Sequence, residues 1–134
     1  HTNGCYGVKA AVSAGVDSLE HGNYMDEECL DMLAENDTVW VPTLVTIRNL
    51  MGDGRYEDRV LRPIIETAEK NVRKAFARGV KIAPGSDAGA YRVLHGKGIQ
   101  DEIEAFEEIL GKEKKVYDWL AEGEAEIRRK FSRQ

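Results

Sequence analysis

Two stretches of this chain repeat one order of events. "AVSAGVDSLEHG" and "AFARGVKIAPGSDAG" each run from a helix end through Gly-Val and a charged residue to Leu or Ile, then into a polar loop with glycine. Between them lie further apolar runs flanked by helical patterns, and no two-residue hairpin signal joins any pair of strands. Buried strands that alternate with helices pair in parallel, which makes the chain α/β, either an open sheet or part of a barrel. That constraint also says where chemistry gathers, because both architectures place their sites at the carboxyl ends of the strands.

The individual elements follow from periodicity. "CYGVKAAVSA" (5–14) sets Val8, Ala11 and Val12 on one helical face, with Gly15 closing it. "VDSL" reads as a short strand. "MDEECLDMLAEN" opens with Asp26 at a helix N-cap and presents Cys29, Leu30, Leu33 and Ala34 as its inner stripe. "TVWVPTLV" is the clearest strand, and "RNLMGDGRYED" a polar loop. The longest helix carries Val60, Leu61, Ile64, Ile65, Ala68, Val72, Ala75 and Phe76 inward, with Pro63 in its first turn or kinking it. "VKIAP" is the next strand. From Gly98 the pattern is helical to the end. One helix is marked by Ile99, Ile103, Phe106 and Leu110, a second by Val116, Trp119, Leu120, Ile127 and Phe131, weakened at Gly123. Trp40 and Trp119 belong to the core.

Composition excludes several classes. The 134 residues are 42% hydrophobic and 32% charged, with a net charge of −5, and there is no basic stripe to contact nucleic acid. The basic excess in "EIRRKFSRQ" reads as a solvated helix end. Cys5 and Cys29 make neither a disulfide framework nor a zinc knuckle and read as reduced, partly buried thiols. No apolar run approaches the ~18 residues of a membrane span and no signal peptide is evident, so the expected location is cytoplasmic. The chain opens on His1 rather than Met, which leads us to expect part of a longer protein. We expect residues 1–134 to form a single domain, with 112–134 as a helical carboxyl-terminal extension.

His21 and Asp87 both stand at strand tips. An imidazole and a carboxylate facing inward from neighbouring strands suit a divalent cation that takes nitrogen and oxygen ligands. Such an ion acidifies its water toward neutrality, and a carboxylate beside it can pass the proton to a leaving amine. Gly22 and Gly89 follow the two candidates and allow sharp turns. Glu20 reads as an orienting residue for a ligand. Tyr91 and Arg92, just past the aspartate loop, offer contacts to a substrate carboxylate, the arginine through its planar fork. Asn3 and Thr43 lie near strand ends.

"HTNGCYGVKAAVSAGVDSLEHG", then "VPTL", then "GVKIAPGSDAGAY…HG" resembles the carboxyl-terminal half of an amidohydrolase-superfamily barrel, in its imidazolonepropionase- and prolidase-like branch. The resemblance covers roughly residues 1–105. It implies a partial (β/α)8 barrel of about strands six to eight with their helices. His1 and His21 would be metal ligands at the ends of the fifth and sixth strands, and "VPTL" would be the seventh strand. Asp87 would be the eighth-strand ligand and general base, and His95 a substrate contact. The implied cofactor is one or two divalent ions, zinc first, with manganese or iron as alternatives. The implied activity is hydrolysis of an amide, peptide or cyclic-amide C–N bond in a small-molecule or peptide substrate. The family's first-strand H-x-H and fourth-strand lysine have no counterpart here, and "EKKVYDWLAEGEAEIRRKF" departs from its usual tail. We therefore expect the chain alone to be inactive, and to pair with an amino-terminal half or with itself through its open strand edges. Two other readings stay open: a scaffold or interaction module without a working site, and an α/β protein holding phosphate at "PGSDAG".

Overall fold

A strand that must pair in parallel with its successor needs a crossover of a dozen or more residues, and the chain supplies helices for that purpose. The computed structural model describes residues 1–132. Its elements are α1 (Gly4–Ser13), β1 (Ser18–Glu20), α2 (Glu27–Glu35), β2 (Val39–Val41), α3 (Val45–Arg48), α4 (Asp58–Arg78), α5 (Lys97–Leu110) and α6 (Lys114–Phe131). β1 and β2 are parallel, with Leu19 opposite Trp40. Single parallel bridges extend the sheet on both sides, Thr2 to His21 and Trp40 to Ile82. Four extended segments therefore lie side by side in chain order.

Each helix is explained locally. Asp26 caps α2, accepting the Cys29 N–H at 2.9 Å, and Glu27 and Glu28 occupy the first turn. α4 ends at Gly79, whose φ of 69° is open to glycine at little cost. Val8, Val12, Leu19, Leu30, Leu33, Trp40, Val72, Ile82, Phe106 and Leu120 are buried in one core between the sheet and the helices.

Several expectations need correction. "TVWVPTLV" stays extended only through Val41, since the chain turns at Thr43 and enters α3, which ends at Arg48 where the expected polar loop begins. "VKIAP" contributes one bridge rather than a strand. Ala34, Val60, Ile99 and Phe131 are exposed, because periodicity marks a stripe wider than the surface each helix finds to cover. Pro63 lies beyond the first turn of α4, on its exposed side. Of the expected extension, α6 accounts for Lys114–Phe131; residues 133–134 lie outside the described ones. No described helix is long and apolar enough to cross a membrane.

Gly123 proves to be a packing residue rather than a weak point. Trp40 bonds to Lys81 O and Ala83 N, so the Ile82 carbonyl faces away from β2. α6 crosses that edge, and a β-carbon at Gly123 would overlap the Ile82 carbonyl. Trp119 Nε1 donates to Val80 O at 2.9 Å on the same edge. At the amino ends of β1 and β2, Lys130 bridges Asp17 and Asp37. Gly123→Ala should therefore destabilise the protein by at least about 3 kcal/mol, the upper end of ordinary overpacking costs, although alanine is the better helix former. Urea midpoints of the two proteins check this.

Candidate metal centre

The bridge from Thr2 to His21 brings the first residue to the tip of β1. Gly22 N donates to Thr2 O at 3.0 Å and His21 N to Val41 O at 2.9 Å, so the His21 peptide is held from both sides. Trp40 Nε1 adds a bond to His21 O at 2.9 Å. The outcome is an imidazole pair: His1 Nδ1 stands 3.2 Å from His21 Nε2. His1 is exposed and His21 half-buried.

The other His21 nitrogen, Nδ1, lies 2.7 Å from Thr43 Oγ1, and Thr43 is 3% exposed. With Nδ1–H donating to the hydroxyl, Nε2 keeps its lone pair toward His1. Two ring nitrogens bound to one tetrahedral zinc at 2.0–2.1 Å would be about 3.3 Å apart. The observed separation, that of a direct hydrogen bond, matches that spacing, and the threonine hydroxyl is placed to accept from Nδ1–H as the outer bond of a ligand.

Backbone strain marks the same rim. Five described non-glycine residues have positive φ, and three of them are His21 (71°), Thr43 (50°) and Asp87 (54°). These follow β1, β2 and the Ile82 segment in turn. A left-handed threonine is costly because its β-carbon is branched, and such conformations persist where the surroundings over-determine them.

Asp87 is exposed on its loop. Among the described residues its carboxylate does not complete a group with the two imidazoles in which all ligand atoms lie within 4.8 Å. The sheet ends at Ala83, and the loop beyond is held by Gly89 N to Val93 O and by Arg92 on Asp53 rather than by a ladder. Tyr91 and Arg92 both face Asp53, at 3.0 Å and 2.8 Å. His95 packs beside Gly89. Glu20 accepts from Ser18 Oγ at 2.6 Å. "PGSDAG" runs into a bridge and turns, and α5 begins only at Lys97.

The three-ligand group that does form is Cys5, Asp26 and Cys29, at the start of α2. Capping accounts for it: Asp26 accepts Cys29 N and pairs with Lys9, whose charge already neutralises the carboxylate. Burial pushes the Cys29 thiol up to about 12, so it stays protonated.

Sequence reasoning noted Thr43 only by position and missed Glu102 altogether. Glu102 on α5 is 0% exposed, and its two oxygens accept Leu44 N and Val45 N, each at 3.0 Å. A glutamate on the inner face of an otherwise apolar stripe was the available signal.

Solved structures share this fold. No family model matches the chain. A crystal structure of a Xaa-Pro dipeptidase with bound methionine superposes at a TM-score of 0.72 with 31% identity, covering 93% of this chain and 32% of that one. Ochratoxinase from Aspergillus niger superposes at 0.68 with 27% identity, covering 86% of this chain and 25% of that structure. The chain belongs to the amidohydrolase superfamily. In sequence, it is 33% identical over 92 residues to curated ochratoxinase. It is 32% identical over 104 residues to an uncharacterised protein of Mycobacterium tuberculosis. Those matches take 65% and 73% of this amidohydrolase chain but 19% and 28% of the relatives, and the chain corresponds to the carboxyl-terminal part of the two hydrolases.

Burial holds the Glu102 carboxyl up at about 7 from a usual 4.5, against the two backbone bonds and the Arg48 charge, which act to lower it. Because the folded protein favours the neutral form, folding takes up a proton between those values. Stability on this group's account is greatest below about pH 4.5, falls by about 3 kcal/mol through that window and is level above pH 7. Urea midpoints measured from pH 4.5 to 8 should show that decline, and Glu102→Gln should flatten it.

Proposed function

We propose that this chain is part of a metal-dependent hydrolase that cleaves a C–N bond, amide, peptide or cyclic amide, with metal-activated water. The observation that carries the reading is the His1–His21 pair, spaced for one ion at the carboxyl rim of parallel segments and backed by Thr43. The likeness to a Xaa-Pro dipeptidase and to ochratoxinase supports it, and the former makes a dipeptide amide the first substrate class to try. On this reading the four segments are strands five to eight of a (β/α)8 barrel, completed by an amino-terminal half or by a second copy.

His1 and His21 would hold the cation, zinc before manganese or iron because zinc imposes no geometry of its own on mixed N/O ligands. A divalent ion there supplies Lewis acidity, bringing water toward ionisation at neutral pH and polarising the scissile carbonyl. Thr43 keeps the His21 lone pair directed at the ion. Asp87 would join as ligand and would serve as general base, taking a water proton and returning it to the departing nitrogen. Tyr91, Arg92 and His95 face the substrate, whose carboxylate would compete with Asp53 for Arg92. The family's first-strand H-x-H and fourth-strand lysine have no counterpart among these residues, and on this reading the chain is inactive alone.

One observation favours a second reading, a scaffold without a working site: the Asp87 carboxylate stands apart from the histidine pair. Metal analysis with turnover separates the two. The chain should bind zinc, and His21→Ala should weaken binding at least roughly tenfold. In the complete encoded protein, Asp87→Asn should lower hydrolysis of Xaa-Pro dipeptides or other amides by about 10³-fold or more. Folded protein with neither metal binding nor metal-dependent hydrolysis would leave the scaffold reading.

A further inference from the structure

Glu102 is a fully buried acid on a helix that otherwise packs Ala105, Phe106 and Ile109 into the core. Carboxylates are almost never buried completely unless partnered, since leaving water is expensive. Here the partners are backbone amides. α3 begins directly after Thr43, its N-cap residue Leu44 offers no side-chain cap, and its first N–H groups have no intrahelical acceptor. Both side-chain oxygens of Glu102 fill that gap, one on Leu44 and one on Val45.

The residue immediately before these amides is the strained one. Thr43 turns at φ 50° between a strand and a helix, and its carbonyl accepts both Thr46 N at 3.1 Å and Thr46 Oγ1 at 2.8 Å. Its hydroxyl reaches His21. With Leu44 and Val45 pinned from α5 and the Thr43 carbonyl committed to α3, the peptide has little freedom to relax. The hydroxyl is thereby held at the ring nitrogen.

We propose that Glu102 is a positioning residue for the metal centre: by clamping Leu44 and Val45 it holds Thr43 in its left-handed turn, which sets the orientation of the His21 ring and keeps at Nδ1 a hydroxyl able to accept its proton. This rests on the metal-centre reading for its functional meaning, while the clamp itself is a property of the metal-free protein. It also ties α5, which follows the Asp87 loop, to the tip of β2, so that two rim segments are set by one side chain.

The test is a double-mutant cycle on the purified chain, reading zinc affinity by chelator competition and the His21 tautomer by ring ¹⁵N NMR without metal. Glu102→Gln and Thr43→Val should each weaken zinc binding roughly 10–100-fold. The double variant should be no weaker than the worse single, because both act through one hydroxyl. Glu102→Gln should also lose the Nδ1–H tautomer of His21, whereas Thr43→Ser, which keeps the hydroxyl, should retain both affinity and tautomer. If Glu102→Gln does not fold, Glu102→Asp carries the same readouts, since it withdraws the acceptor by one methylene. Wild-type affinity and tautomer in a folded Glu102 variant, or additive losses in the double, would overturn the proposal. Absence of zinc binding by the wild type would instead remove the metal-centre reading, and the tautomer would still decide the clamp.

Discussion

Parallel pairing governs the rest of this structure. Strands that all run the same way present their carboxyl ends on one rim, and every connection must cross back through a helix. Thr2, β1, β2 and Ile82 obey that rule in chain order, so residues far apart in sequence meet at one edge of the molecule. The His1–His21 contact is a direct product of that register. A slip of one residue in the Thr2 bridge would turn the side chains to opposite faces and dissolve the pair.

Holding such a rim has an energetic cost, and the molecule concentrates it. Three successive strand exits end in left-handed non-glycine residues, and the costliest, Thr43, is surrounded by hydrogen bonds on itself and its neighbours. The buried acid that helps hold it would be more comfortable in water, as its raised pKa records. An interior residue chosen for stability alone would be apolar. On the proposed metal-centre reading, strain and burial in one place serve to reproduce the position of a ligand accurately.

The carboxyl-terminal helix shows the same logic at the Ile82 edge of the sheet. Its sequence departs from the family's usual tail, yet α6 covers the outer edge of the Ile82 segment with a glycine at the point of closest approach. An edge left open would expose unpaired backbone groups to other chains.

Much of this was legible beforehand. The alternation of helices and short apolar runs implied parallel segments, Asp26 and Gly15 announced helix ends, and His1 and His21 stood out by motif. Such features are local, because capping and periodicity involve residues within a few positions of each other and survive outside the fold. Tertiary structure alone decided that the two imidazoles face one another at 3.2 Å while Asp87 stands apart, that Thr43 backs the ring, and that Glu102 holds Thr43 in place. It likewise turned Gly123 from a weak helical position into a contact surface. Those outcomes depend on partners twenty to sixty positions distant, such as Glu102 with Leu44 at a separation of 58, and no local pattern encodes them. Only the register of neighbouring parallel segments brings such atoms within bonding distance.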